Sequence, residues 1–248
     1  MNNNATIEKM KQMRLYGMQG AFENAIATGK STDFTADQLI GYLVESEWNN
    51  RTNRKTERLI KNARFRYQAS IEEVKWDPAR NIDKNLLLRL SDCSFIEKAE
   101  AIIITGSTGC GKSYLASALG YQACLKGYKV LYFNLGKLFS RLTMAKADGS
   151  YIKELSRIEK HDLLIIDDFG LQTIDSKKQM MLLDIFEDRH IKKSTIITSQ
   201  IPVNIWHELL EEKTLADAIL DRIVHNAYKL EIKGESMRKV LKIKEYIN

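Results

Sequence analysis

Cysteine, proline and long apolar runs are all scarce in this chain, and each shortage removes a class of protein. Three cysteines among 248 residues, Cys93, Cys110 and Cys124, form no CxxC pair and no metal-ligand spacing. An odd, unpatterned set argues against a secreted disulfide framework and suits a reducing cytoplasm. His161, His190, His207 and His225 stand at no ligand spacing to acids or cysteines, so they carry no zinc signature. No apolar run approaches the roughly 20 residues of a membrane span, and Met1-Asn2-Asn3-Asn4 opens no apolar leader. A soluble cytoplasmic protein without a membrane partner is expected. Of only two prolines, Pro78 in Trp76-Asp77-Pro78-Ala79 marks a linker, and Pro202 follows the strand-like segment Thr195 to Ser199. No internal repeat is visible. The net charge of +6 is moderate, so where the charge lies matters more than its total.

What is present centres on Gly106-Ser107-Thr108-Gly109-Cys110-Gly111-Lys112-Ser113. This matches the phosphate-binding P-loop pattern, preceded by the β-branched run Ala101 to Thr105 and followed by helix formers from Tyr114 onward. Gly106, Gly109 and Gly111 allow backbone angles and close approach that a β-carbon would obstruct, so that successive N–H groups converge on phosphate oxygens. The helix opening near Lys112 adds its positive end. Lys112 is expected to reach the β- and γ-phosphates, and the Ser113 hydroxyl to join the shell of a Mg²⁺ that bridges them. Residues 106 to 113, with Tyr114, are the expected nucleotide contacts.

A second element follows in Leu163-Leu164-Ile165-Ile166-Asp167-Asp168, a buried-type strand ending in two carboxylates. Asp167 is the expected Mg²⁺ partner. Strand pleating would turn Asp168 to the opposite side, where it is a candidate for orienting or deprotonating an attacking water.

The first hundred residues read as helical. Ile7, Met10, Met13, Leu15 and Met18 recur at near-helical spacing, and Thr35-Ala36-Asp37-Gln38 has the form of a capping box ahead of Leu39 to Leu43. Two helices with a turn around Gly29 to Asp33 are expected. The stretch Arg51 to Tyr67 then carries seven basic side chains against one acid, Glu57. Helical spacing sets Arg51, Arg54 or Lys55, Arg58 and Lys61 along one stripe. With so few carboxylates, such a helix repels itself unless an anion compensates, and DNA phosphate is the expected anion, contacted without sequence readout.

From the P-loop onward, strand-like runs at Lys129 to Phe133, Leu163 to Ile166, Ser194 to Thr198 and Tyr228 to Ile232 alternate with helical patterns. The expected fold is α/β, a P-loop NTPase with a parallel sheet flanked by helices and a small all-helical N-terminal domain. The extra strand between loop and acids suggests the branch of these folds with an inserted strand. The expected division is 1–75 for the basic helical domain and 76–248 for the ATPase domain.

Taken together, the loop, Leu163 to Gly170, Ser194 to Gln200, Leu215 to Arg222 and Lys233 to Lys239 resemble the IstB transposition helper ATPases, relatives of the DnaC helicase loaders in the AAA+ group. The resemblance spans nearly the whole chain. It implies a bacterial cytoplasmic protein, dependent on ATP and Mg²⁺, that assembles head to tail on double-stranded DNA and helps a cognate transposase select or capture its target. It further implies that Gln200 is the sensor-1 residue, Arg222 an arginine finger donated to a neighbouring subunit, and Arg238 the sensor-2 arginine. Lys137, Arg141 and Lys146, on the helix after the second strand, fall where related loaders line the DNA path. Asp168 stands where many AAA+ ATPases carry glutamate, which implies slow hydrolysis, and the few residues after Arg238 leave no separate helical lid. A helicase loader and a non-hydrolysing, ATP-switched DNA adaptor are the alternatives. Duplex preference with transposase stimulation would set the first apart, and the response to Asp168→Asn the second.

Overall fold

The computed structural model describes residues 3–29, 33–74, 80–234 and 236–237. The linker expected at Pro78 and the sensor-2 role expected for Arg238 therefore lie outside the described residues. Contacts divide the chain into two compact units, Met1–Arg58 and Leu59–Asn248.

In the first unit, α1 (Asn3–Gln12), α2 (Tyr16–Ala27) and α3 (Ala36–Ala63) follow one another. Three helices replace the two expected, because the apolar run from Ile7 to Met18 is broken. Arg14 takes a left-handed φ of 58°, and the chain turns between Lys9 and Leu15. The start of α3 is the expected capping box. The Thr35 N–H donates to Gln38 Oε1 at 2.9 Å and the Gln38 N–H to Thr35 Oγ1 at 3.3 Å. Glu47 of α3 is buried and accepts the N–H groups of Gly17 and Met18 at 2.7 and 3.2 Å. These are first-turn donors of α2 that have no partner within their own helix.

The second unit opens with the last turn of α3 and continues through α4 (Lys84–Ser91), α5 (Ser94–Glu97), β1 (Ala101–Gly106), α6 (Lys112–Leu125), β2 (Val130–Asn134) and α7 (Leu135–Ala147). It then runs through α8 (Tyr151–Glu159), β3 (Leu163–Phe169), α9 (Ser176–Arg189), β4 (Ser194–Ser199), α10 (Lys213–Val224) and β5 (Ala227–Ile232). Every strand falls within a residue or two of its expected start. The five strands form one parallel sheet in the order β2-β3-β4-β1-β5. The inserted strand is thus β4, which separates the loop strand β1 from the acid strand β3, while the sequence intermediate β2 lies at an edge.

Apolar residues occur without a break in β1 and β3 because both faces of the sheet are covered. Ile102, Ile104, Ile165 and Ile196 pack on one side with α4, α6 and the stretch 59–74, whose Ala63, Ala69, Ile71 and Val74 are buried in the same cluster. Ile103, Leu164, Ile166 and Ile197 pack on the other with α7, α9 and α10. Trp206, beyond Pro202, is fully buried there against Phe169, with ring centroids 4.4 Å apart, and donates its indole N–H to the Ile201 carbonyl at 2.9 Å. The loop after β1 and the acids of β3 end up side by side at the carboxyl edge of the sheet, the edge where ligands bind in such folds.

Candidate functional site

The glycine loop has the backbone its sequence calls for. Gly106, Gly109 and Gly111 hold φ of 149°, 81° and 98°, a region that side chains make costly. Space reinforces the requirement. A β-carbon on Gly106 would lie 2.2 Å from the Ile232 carbonyl oxygen, and one on Gly109 would lie 2.2 Å from Ser236 Oγ. Gly111 caps α6, whose first residue is Lys112. The Lys112 side chain is only 5% exposed overall and donates from Nζ to the carbonyls of Gly106 and Ser107, both at 2.8 Å. The ammonium is thereby held across the mouth of the loop.

Three residues not expected at the site brace the loop from outside. The Met237 N–H donates to the Gly109 carbonyl at 3.0 Å, Ser107 Oγ donates to the Gly234 carbonyl at 3.2 Å, and Arg80 Nη2 donates to the Cys110 carbonyl. The segment after β5 therefore lies on the loop.

Asp167 is fully buried, yet it is ionised. Burial pushes its carboxyl up, but hydrogen bonds from Thr198, Tyr132, Ser113 and Arg66 outweigh that and hold it below the ordinary carboxylate range. Ser113 Oγ donates at 2.7 Å to Oδ1, which Thr198 Oγ1 also meets, while Oδ2 accepts from Arg66 Nη1 at 3.0 Å and from the Tyr132 hydroxyl. The phenol of Tyr132 is pushed well up by its own burial and by the carboxylate beside it, so it remains a donor.

Pleating does not carry Asp168 to the other side. The register between β3 and β4 shifts between Ile166 and Phe169, and Asp168 adopts φ of 63° with its N–H on Thr198 Oγ1 at 3.2 Å. This bulge turns the second carboxylate toward the first. Asp168 Oδ2 accepts from Arg66 Nη1 at 3.0 Å, the same nitrogen that Asp167 binds, and from Asn134 Nδ2 at 2.9 Å. The expectation of opposed acids is corrected to a convergent pair.

Arg66 was not singled out by sequence, and it is the most informative addition. Its own burial lowers its pKa, but the hydrogen bond and charge of Asp167 raise it further, so it stays a cation. Two carboxylates and the Ser113 hydroxyl form a hard-oxygen donor set, and a positive group is already drawn into the gap between them. That chemistry fits Mg²⁺. Among the described residues no group of three or more His, Cys, Asp or Glu side chains converges.

Gln200, just past β4, accepts from Thr108 Oγ1 at 2.6 Å and so touches the loop directly. Gln200, Asp168, Lys112, Tyr114 and Tyr67 line a cleft of about 290 Å³ beside the loop. The rings of Tyr67 and Tyr114 are 6.3 Å apart. The Tyr114 hydroxyl donates to Glu73 at 2.7 Å, and its pKa is pushed up to about 12 by burial and by that carboxylate.

Arg222 lies elsewhere. On α10, its Nη1 donates to the Ala218 carbonyl at 2.7 Å and its guanidinium pairs with Glu187, while Asp217 and Asp221 face His207 and His225 instead. It shares a cavity with Ala101 and Thr195, at the amino ends of β1 and β4. The P-loop sits at the carboxyl end of β1, about 20 Å away for a six-residue strand. Arg222 therefore does not reach the loop of its own chain.

The remaining basic candidates are exposed on helices or paired. Arg54, Lys55, Arg58 and Lys61 are exposed on α3; Arg51 pairs with Glu47 at 2.6 Å, and the Arg54 guanidinium stacks 5.3 Å from the Tyr16 ring. On α7, Lys137 is exposed, Arg141 grips Glu154 of α8 with two nitrogens, and Lys146 Nζ sits 4.5 Å from the Tyr151 ring centroid. Burial pushes the Glu154 carboxyl up, but Arg141 and Arg157 outweigh this and lower it. A cavity of about 1010 Å³ is lined by Arg64, Arg66, Phe133, Lys137 and Arg141.

The sheet order with β4 between loop and acid strands, together with the loop itself, defines a P-loop protein of the AAA+ type. The solved structure of DnaI superposes with a TM-score of 0.58 at 23% identity, covering 71% of this chain and 94% of that one. The chain belongs to the IstB-like ATP binding protein family, whose model matches residues 8–245. It is 40% identical over 234 residues to the insertion sequence ATP-binding protein y4pL of Sinorhizobium fredii, covering 94% of this chain and 96% of that protein. To the insertion sequence IS21 ATP-binding protein of Pseudomonas aeruginosa it is 28% identical, covering 92% and 86%.

Proposed function

We propose that this chain is a Mg²⁺-dependent ATPase that assembles head to tail on duplex DNA and serves the transposase of its insertion sequence in target selection, with hydrolysis loosening the assembly. The observation that carries the reading is the placement of Arg222 and the P-loop at opposite ends of one sheet, in a family of insertion-sequence relatives. A head-to-tail contact can bring the two together only between subunits, and repetition of such a contact yields a ring or an open helix. In the site, Ser113 and Asp167 hold Mg²⁺, which when bound neutralises charge on the phosphates. Lys112 and the loop N–H groups take the β- and γ-phosphates, Gln200 and Asp168 orient the lytic water, and Arg222 of the next subunit supplies a cation to the charge that develops.

Support for DNA as the scaffold comes from the exposed stripe Arg54, Lys55, Arg58 and Lys61 and from the exposed Lys137 on α7. Sedimentation of the protein with and without duplex, in ATP, ADP or a nonhydrolysable analogue, tests the reading. Large complexes that require both duplex and a triphosphate are expected. A monomer that ignores duplex but binds single strands or a helicase would make the chain a loader instead.

Asp168→Asn is expected to keep ATP binding and duplex assembly while lowering turnover on the order of 100-fold or more, the usual size of a general-base contribution. Complexes that no longer disperse after ATP addition are the observable. Unchanged dispersal would make the protein a nucleotide-switched adaptor, with hydrolysis irrelevant to its cycle.

A further inference from the structure

Arg66 lines the cleft beside the loop, yet its guanidinium is engaged by the two acids of β3. It follows α3 by three residues and sends one nitrogen, Nη1, to both acids of β3 at 3.0 Å each. Asp167, the more buried of the two, also accepts Ser113, the other residue of the Mg²⁺ set. The guanidinium and the ion therefore draw on the same oxygens. We infer that Arg66 is a built-in competitor of Mg²⁺: it must release Asp167 before Asp167 and Ser113 can hold the ion, and so it sets the Mg²⁺ concentration at which nucleotide is bound tightly. This rests on the Mg²⁺·ATP reading of the site.

Three features make the arginine a competitor and not a fixed strut. Its side chain is 39% exposed, so it can leave without opening the core. Besides the acids it has the nearby Tyr67 ring, 5.5 Å from its guanidinium carbon, on which to rest. The cavity on its other side carries Arg64, Lys137 and Arg141 against Asp148 and Glu154, with Arg141 and Glu154 already paired, so it offers the guanidinium no free carboxylate pair to match the one on β3. Asp167 keeps its hydroxyl donors Thr198 and Tyr132 when Arg66 departs, so the exchange costs the pair one cation and returns another.

The test uses the full chain and a fluorescent, nonhydrolysable ATP analogue, titrated with Mg²⁺ at fixed nucleotide for wild type, Arg66→Gln and Arg66→Lys, with binding and not turnover as readout. Removing two charge-assisted hydrogen bonds is expected to lower the half-saturating Mg²⁺ on the order of ten-fold in Arg66→Gln. Arg66→Lys, which keeps the cation, should stay near wild type. An unchanged Mg²⁺ requirement in Arg66→Gln overturns the inference, as does weaker analogue binding in chelator with the same requirement, which would mark a phosphate contact. If wild type binds the analogue equally with and without Mg²⁺, the metal-site reading itself fails and the inference falls with it.

Discussion

Lys112→Ala is expected to lower ATP affinity on the order of 100-fold, about 3 kcal/mol, the scale of truncating one member of a desolvated charge pair. The side chain is nearly buried, and its ammonium is held by two loop carbonyls at 2.8 Å. No long-range reorganisation is therefore needed to bring it to a phosphate. Ser107 is exposed and Gly106 half-buried, so water replaces the lost donor and the fold should persist. Calorimetric titration with ATP reads the loss directly, and thermal melting confirms the fold. Wild-type affinity in this variant would mean that the loop does not hold nucleotide.

The second large effect is in Arg222→Ala, with ATP binding retained and turnover lowered on the order of a thousand-fold, the lower end of what an arginine finger contributes. The wild-type residue pairs with Glu187, a carboxylate that is 60% exposed, and donates to the Ala218 carbonyl, so removing it leaves no buried charge and costs stability on the order of 1–2 kcal/mol. Loss of turnover without loss of fold can then be assigned to chemistry. A mixing experiment goes further. In a blend of Arg222→Ala and Lys112→Ala subunits, some interfaces combine an intact loop from the first with an intact arginine from the second. Activity should reappear on mixing two nearly inactive proteins. If each variant stays inactive in the blend while wild-type subunits mixed with either are active, Arg222 acts within its own chain or not at all.

Much of this site could be read before any coordinates because its chemistry is local. Phosphate binding needs glycines, a lysine and a hydroxyl within eight consecutive residues, and the covered sheet shows itself as unbroken apolar runs. What could not be read depends on distance or on the backbone. Arg66 sits inside a basic run in which its neighbours look the same, and its partner Asp167 is 101 positions away. Tyr132 and Thr198 look like ordinary strand residues, and their hydroxyls matter only because β2 and β4 flank β3. The turn of Asp168 toward Asp167 comes from a bulge that no alternation predicts. The break at Arg14 was hidden for a similar reason, since apolar spacing carries on across a change in chain direction.

The position of β4 has a mechanical consequence. One end of this strand meets both halves of the site at once. Thr198 holds the two aspartates, and Gln200, two residues on, holds Thr108 of the loop. Neighbouring strands are spaced about 4.8 Å apart, so loop and acids are separated by two such steps with β4 as the crossbar. A nucleotide that repositioned Thr108 would pull on Gln200, and a change at the carboxylates would pull on Thr198. In the proposed ATPase cycle the strand would then serve as a short lever between the residues assigned to gripping the triphosphate and those assigned to its cleavage.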